Sequence, residues 1–181
     1  MTERMQSIPL GVVVERRRID HPWQDHEWRP VAVIPGAPEA ENPNEWKELA
    51  RGDGWVRYLA GSLPLELHRK ETEAYKVNLS NDPPVIYVVL SETDAPDAAH
   101  EVEPSLVTAS PYDAQDNEDA GEELLDGVPM PEPLIAWIAD FIERHHVDEP
   151  FHKRKRKRYD PNDVGFGPRP DGPGQRRTPL D

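Results

Sequence analysis

Histidines occur in two clusters that could bind a metal ion or transfer protons. His145 and His146 are adjacent near the end of a predicted helix, and His152 follows shortly after them. Imidazole is a common ligand of transition metals. Adjacent residues of a helix, however, point about 100° apart, so the pair cannot easily chelate one ion. Because a helix C-terminus also favours a cationic histidine, we expect no metal site here.

The second cluster, His21, Asp25 and His26, lies in a predicted turn between two strands. It is compatible with a metal or catalytic site, but a capped polar loop is the ordinary interpretation. Seven carboxylates between residues 113 and 126 could similarly suggest calcium. They lack the ligand spacing of an EF-hand loop, so we expect a solvated acidic loop instead.

Sequence motifs for catalysis are absent from the chain. It has no glycine-rich phosphate loop, no His-Glu-x-x-His and no Gly-x-Ser-x-Gly. The cysteine count of 0 excludes disulfides, thiolate nucleophiles and cysteine metal sites. The sequence therefore assigns no catalytic residue, metal or cofactor, and it favours a protein that is not an enzyme.

Positive charge beside aromatic side chains occurs near the N-terminus. Arg16, Arg17 and Arg18 end a predicted strand, and Trp23 and Trp28 follow them. Such a combination can bind phosphates, stack on bases or anchor a partner protein. Alternatively, successive residues simply point to opposite faces of the strand while the tryptophans cover a sheet edge. We retain all five residues as candidates for partner binding.

Six consecutive cations form the strongest candidate, namely Lys153, Arg154, Lys155, Arg156, Lys157 and Arg158. Residues 151–181 hold 9 Lys and Arg against 4 Asp and Glu, whereas residues 1–150 hold 12 against 31, a net charge of −19. Like charges at successive positions repel one another, so this segment should be a disordered arm. It could contact an acidic partner protein, nucleic acid, anionic lipid or the chain's own acidic loop at 92–126.

Hydrophobic patterns predict the elements that position these residues. Residues 8–18 and 28–34 should form an antiparallel strand pair, and residues 54–68 one long strand or two short ones. Residues 72–79 and 84–90 should form a hairpin, and residues 101–110 one further edge strand. Residues 132–146 carry apolar side chains at steps of three and four and should form a helix.

These elements predict an α+β fold. We expect an antiparallel sheet or half-barrel of about five to seven strands, closed by one C-terminal helix. The predicted organisation is a flexible N-terminus at 1–6, a single domain at 7–147 that includes the acidic loop 92–126, and a disordered basic tail rich in Pro and Gly at 148–181. No apolar run is long enough to span a membrane, and we expect a cytoplasmic protein.

Several motifs together resemble an uncharacterised proteobacterial family. They are the segments PLGVVVER at 9–16, PW at 22–23, WRPVAV at 28–33 and EPFHKRKR at 149–156. Members of that family are commonly found beside formate dehydrogenase genes and are sometimes labelled molybdopterin-guanine dinucleotide biosynthesis protein A. The resemblance thus implies a molybdoenzyme context, but it supplies no active-site residues.

Our functional hypothesis is a non-enzymatic accessory or adaptor protein. It would assist assembly or maturation of a molybdenum enzyme such as formate dehydrogenase by binding an acidic surface, which a molybdoenzyme subunit could provide. One alternative is a molybdenum cofactor biosynthesis enzyme of the guanylyltransferase type. Such an enzyme needs a glycine-rich loop between a strand and a helix, whereas Gly11 stands alone here. A second alternative is a nucleic-acid-binding regulator that acts through the basic tail.

Overall fold

The structure is a computed structural model that describes residues 4–39, 41–42, 45–93, 100–119 and 123–148. These residues form seven strands and three α-helices. The strands are β1 (Met5–Arg18), β2 (His26–Pro35), β3 (Lys47–Gly52), β4 (Trp55–His68), β5 (Val85–Glu92), β6 (Val102–Thr108) and β7 (Glu123–Pro129). The helices are α1 (Thr72–Leu79), α2 (Pro111–Asp119) and α3 (Glu132–His145).

The first sheet is antiparallel and has the strand order β2-β1-β4-β3. The predicted pairing of the first two strands is confirmed. β-Branched residues dominate the middle of β1, and Leu10, Val12 and Val14 place one face of this strand in the core. β4 runs without interruption from Trp55 to His68 and pairs with β1 along most of its length. β1 therefore lies between β2 and β4, and its side chains can contact residues of both strands.

The second sheet has the order β6-β5-β7 and is also antiparallel. Its central strand β5 is the most apolar segment of the chain and is buried from Ile86 to Leu90 apart from Tyr87. Side chains from both sheets form one hydrophobic core, with β2 near β7 and β4 near β6. The predicted edge position of β6 is confirmed.

The predicted amphipathic helix is confirmed as α3. Leu134, Ile138 and Phe141 are fully buried in the shared core, as expected from their spacing. The indole Nε1 of Trp137 donates a hydrogen bond of 3.0 Å to Oε1 of Gln6. This bond joins α3 to the beginning of β1.

The predicted fold class is wrong in its architecture, because the described residues form two sheets and three short helices in place of one sheet or half-barrel closed by one helix. Residues 72–79 were predicted as a hairpin strand and form α1. The buried Asn78 explains the difference. Its side chain donates to the carbonyls of Val85 (2.7 Å) and Ala109 (2.8 Å) and accepts from the Val85 N–H (3.0 Å). These bonds fix α1 beside β5 and β6.

The acidic region 92–126 was predicted mainly as loop, apart from the edge strand at 101–110, but its described residues also include α2 and most of β7. α2 begins beside Ser110, whose Oγ accepts from the Asp113 N–H at 3.3 Å. β7 pairs with β5, and Val128 of β7 is buried opposite Ile86. Asp126 of the same strand is exposed to solvent.

β3 is a strand that the hydrophobic patterns did not predict. β3 joins β4 through a tight turn at Asp53 and Gly54, and the φ of 75° at Gly54 favours glycine. Close contacts group residues 1–147 into one unit. The predicted basic arm, including Lys153–Arg158, lies outside the described residues. None of the helices in the described part of the chain is long and apolar enough to cross a membrane.

Candidate binding surfaces

Charge is distributed unevenly over the folded part of the chain. Residues 77–143 contain 16 Asp and Glu and no Lys or Arg, so the whole second sheet is anionic. Seven of the 12 Lys and Arg among residues 1–150 belong instead to the first sheet. They are Arg16, Arg17, Arg18, Arg29, Lys47, Arg51 and Arg57. The first sheet therefore carries more than half of the cations of residues 1–150.

A buried carboxylate organises three of these arginines. Glu15 is 0% exposed, and its two oxygens accept hydrogen bonds of 2.9 Å from Nε of Arg17 and Nε of Arg57. A nitrogen of Arg29 lies 3.8 Å from the same carboxylate. The register explains this cluster, since Arg29 and Arg57 stand opposite Glu15 on the two neighbouring strands. We call Glu15, Arg17, Arg29 and Arg57 the arginine face.

The arginine face carries a net positive charge. Burial raises the pKa of Glu15, but hydrogen bonds from Arg57 and Arg17 and their charges lower it by more, so the pKa lies below its ordinary value of 4.5. Glu15 is therefore ionised at neutral pH and balances one of three arginines, and the exposed Glu27, which stands opposite Arg17 on β2, reduces the net positive charge further without cancelling it. The side chains of Arg17, Arg29 and Arg57 remain 45%, 50% and 45% exposed. Their guanidinium groups can thus contact both Glu15 and an external anion.

The opposite face of the same strands carries aromatic side chains. Arg16 points away from the arginine face because successive residues of a strand alternate. Its guanidinium carbon lies 5.8 Å from the ring centre of Trp28 and 5.9 Å from that of Tyr58. Trp46 stacks on His100 with ring centres 3.8 Å apart. Trp28, Trp46, Tyr58 and His100 form what we call the aromatic cluster.

The aromatic cluster closes one end of the hydrophobic core. Trp28 and Trp46 pack against the core, and Trp28 Nε1 donates a hydrogen bond of 3.0 Å to Oε2 of Glu101. Burial and, secondarily, the charge of Arg16 lower the pKa of His100 below its ordinary value of 6.5. A neutral imidazole is suited to stacking on indole. These contacts indicate a structural role for Trp28.

An acidic groove of about 580 Å³ lies beside the turn between β1 and β2. Its lining includes Trp23, Asp25, Glu27, Glu92, Glu101 and Leu124. Trp23 is 87% exposed and offers an aromatic contact there. Because four carboxylates surround it, this groove suits a cationic partner, whereas the arginine face suits an anionic one.

The structure separates the residues that the sequence grouped together. Arg17 belongs to the arginine face, Arg16 contacts the aromatic cluster, and Arg18 lies at the end of β1, where its N–H donates to the Gly54 carbonyl at 2.7 Å. Trp23 and Trp28 likewise point to different surroundings, one exposed and one packed. The predicted cluster of five residues is therefore not one surface.

Sequence reasoning missed the two arginines that complete the arginine face. Arg29 and Arg57 lie 14 and 42 positions from Glu15 along the chain. Each occurs on a predicted strand, but the register that brings them together is not visible in either segment alone. The sequence does draw attention to Arg29, because it is a charged residue within the otherwise apolar segment 28–34.

The histidines of the predicted helix face different neighbours. His145 is buried against Phe141, with ring centres 4.5 Å apart, whereas Nδ1 of His146 lies 2.9 Å from Oγ1 of Thr72. His21 Nδ1 accepts a hydrogen bond of 3.3 Å from the Trp23 N–H. Among the residues that the structure describes, no group of three or more histidines and carboxylates is arranged to hold a metal ion.

Comparison with known proteins gives one family. Residues 9–155 match a family described as a protein of unknown function, DUF3305. The chain belongs to the DUF3305 family. The expectation of an uncharacterised family is thereby confirmed, and the DUF3305 region contains both the arginine face and the aromatic cluster. No curated protein and no solved structure matches the chain.

Proposed function

We propose that this protein is a non-enzymatic adaptor that binds an anionic surface of a partner protein through its arginine face. The proposal depends chiefly on one observation. Three half-exposed arginines surround a single buried carboxylate on a sheet of a chain whose net charge is −14. Such segregation of positive charge provides a specific docking surface for carboxylates.

Glu15 prepares these arginines for binding. A free arginine side chain loses rotamer freedom when a partner immobilises it, at a cost of about 0.5–1.5 kcal/mol. Hydrogen bonds to Glu15 already restrict Arg17 and Arg57 before any partner arrives. The face can therefore form bidentate contacts with carboxylates at a smaller entropic cost than flexible surface cations.

The location of the face also matters for electrostatics. A partner with an acidic surface is repelled by the 16 carboxylates of residues 77–143 unless it approaches the first sheet. Repulsion elsewhere and attraction at the arginine face would together orient the complex. We expect the affinity to fall with rising salt, because the arginines are partly exposed and screened.

The partner that we propose is a subunit of a molybdenum enzyme such as formate dehydrogenase, whose assembly or maturation the protein would assist. Support for this partner comes from the resemblance described above. The segments 9–16 and 28–33 that carry it lie in β1 and β2, which hold Glu15 and Arg29 of the arginine face. Two of the four residues of the arginine face therefore lie in segments that carry the resemblance.

The alternative of a guanylyltransferase receives less support from the arrangement of the strands. A phosphate-binding loop of that kind joins a strand to the N-terminus of a helix. Here β1 is followed by the antiparallel strand β2. The second alternative, a nucleic-acid-binding regulator, depends on Lys153–Arg158, and the experiment below distinguishes it from the adaptor.

A purification from the native cell under mild salt tests the proposal. The chain would be tagged in four forms, namely the intact sequence, the double variant R17Q/R29Q, the matched variant R69Q/R144Q, and a form with Lys153–Arg158 all changed to Ser. We expect a formate dehydrogenase subunit to be retained by the intact chain and by R69Q/R144Q, but lost from R17Q/R29Q. The R69Q/R144Q control removes the same charge at exposed sites outside the arginine face.

Other outcomes would contradict the proposal. If R17Q/R29Q retained the formate dehydrogenase subunit as well as the intact chain does, the arginine face would not be part of the contact. If the subunit were lost only from the form in which Lys153–Arg158 are serine, the contact would be made by the basic arm. Nucleic acid as the sole retained component would favour the regulator.

A further inference from the structure

A second cationic site lies at the end of the first sheet and adjoins the arginine face, since the guanidinium carbon of Arg57 lies 5.0 Å from the ring centre of its lining residue Trp55. It is a pocket of about 250 Å³, which we call the end pocket. Its lining consists of Arg16, Arg18, His26, Arg51, Gly52, Gly54, Trp55 and Val56. None of these lining residues is acidic. None of the four residues of the arginine face is among these lining residues.

Strand register brings the arginines of the end pocket together. Val56 of β4 stands opposite Arg16 of β1 on one side and opposite Arg51 of β3 on the other. Arg18 stands opposite His26 at the end of β1. The three arginines thus come from two strands and converge around the turn between β3 and β4.

The glycines of this turn leave room for the pocket wall. At Gly52 a Cβ atom would lie 2.3 Å from the indole of Trp55, so only glycine lets the ring occupy its position. Gly54 accepts the hydrogen bond from the Arg18 N–H, which holds the end of β1 against the turn. Trp55 therefore lines the pocket, and its ring packs over Gly52 on the side that also contacts Arg57.

The positive charge of the end pocket is only partly balanced. Arg51 forms a bidentate pair with Glu48, with distances of 2.9 and 3.0 Å. Arg16 is held against Trp28 and Tyr58 by its aromatic contacts, which do not neutralise it. Three arginines against one carboxylate leave a local net charge that attracts anions despite the net charge of −14 for the chain.

We infer that the end pocket binds a phosphate group, either as free phosphate or at the end of a small organic molecule. Planar guanidinium groups match the geometry of phosphate oxygens and bind them in pairs. The pocket is smaller than the roughly 300–1,000 Å³ typical of sites for drug-sized ligands. It therefore has room for one phosphate group, with a substituent on that group beside Trp55.

Titration by NMR tests this inference on the full chain. The indole N–H of Trp55 is a reporter in the pocket wall, and the variant W55F identifies its signal among the five tryptophans. Inorganic phosphate and phenyl phosphate would be added separately, with sodium chloride of equal ionic strength as the reference. We expect both phosphates to shift the Trp55 signal saturably, whereas chloride leaves it in place.

Variants assign the binding to the arginines. R18Q/R51Q removes two exposed guanidinium groups of the pocket, and R69Q/R144Q removes two exposed ones elsewhere. We expect the first to weaken phosphate binding by at least about tenfold and the second to leave it nearly unchanged. R18Q alone, which keeps the pair between Arg51 and Glu48, should give an intermediate loss and serves if the double variant does not fold.

The two phosphates also distinguish the source of the ligand. Tighter binding of phenyl phosphate would identify an organic phosphate whose substituent contacts Trp55, and equal binding would identify phosphate itself. The inference fails if R18Q/R51Q binds as tightly as the control variant. It also fails if chloride reproduces the shifts, because the pocket would then respond only to ionic strength.

Discussion

Replacing Glu15 with glutamine tests the charge arrangement at the centre of the arginine face. The substitution keeps the shape of the side chain but removes its charge and turns one accepting oxygen into an NH₂ donor. That donor would face a guanidinium N–H, because Glu15 receives hydrogen bonds on both oxygens from Arg17 and Arg57. One bond is weakened and the other is lost.

The expected loss of stability follows from the burial of each partner. Breaking a fully buried ion pair typically costs about 3–5 kcal/mol. Glu15 is fully buried, but its arginines are 45–50% exposed and can be resolvated. We therefore expect E15Q to lower the free energy of unfolding by about 2 kcal/mol at neutral pH. Urea titration followed by tryptophan fluorescence measures this difference.

The pH dependence of the stability difference between the intact chain and E15Q is a second test. The pKa of Glu15 is lowered in the folded chain, so its stabilising contribution is complete above the ordinary value of 4.5 and is lost as the pH falls through the folded-state value. The difference between the intact chain and E15Q should therefore narrow as the pH is lowered below 4.5.

A matched substitution controls for the general effect of replacing a glutamate with glutamine. E103Q makes the same change at an exposed position on β6 and should alter the unfolding free energy by less than about 0.5 kcal/mol. An E15Q variant as stable as E103Q would refute our reasoning about the arginine face. A difference that does not change with pH would refute the assigned ionisation.

Three other changes test the fold and the aromatic cluster. N78A should lower the free energy of unfolding by about 3 kcal/mol, measured by urea titration, because it leaves the buried Ala109 carbonyl and the partly buried carbonyl and N–H of Val85 without their partner. The exposed change N81A is its control. G54A should cost about 1–2 kcal/mol in the same assay, since its φ of 75° is strained for alanine. In an NMR pH titration His100 should protonate below 6.5, and R16Q should raise its pKa by removing a nearby charge.

Each of these expectations has a contradicting result. Equal stabilities of N78A and N81A would show that the bonds of Asn78 do not hold α1 in place. A G54A variant as stable as the intact chain would require a different turn between β3 and β4. A titration of His100 above 6.5 would mean that its ring is more exposed to solvent than its stacking on Trp46 allows.

Parts of the fold were predictable because the local pattern is strong. β1, β2 and β5 are rich in β-branched residues, and α3 carries its apolar side chains on one face. α1 could not be predicted in the same way. Residues 72–79 alternate like a strand, and the decisive hydrogen bonds of Asn78 reach Val85 and Ala109, which lie 7 and 31 positions further along the chain.

Long-range pairing also explains why the acidic region and the binding site were misread. The acidic composition of residues 92–126 predicts loop, but β7, which contains Asp126, forms because it pairs with β5 and buries Val128. Arg17 was a candidate from the sequence because it lies in a visible basic run. Arg29 and Arg57 became candidates only when the register placed them beside Glu15.

The affinity of the purified chain for a purified formate dehydrogenase subunit tests the docking proposal most directly. Biolayer interferometry would compare the intact chain, R17Q/R29Q and R69Q/R144Q at low and at physiological salt. We expect R17Q/R29Q to bind at least about tenfold more weakly than the other two, with a smaller dependence on salt. The same affinity for R17Q/R29Q and R69Q/R144Q at both salt concentrations would contradict docking through the arginine face.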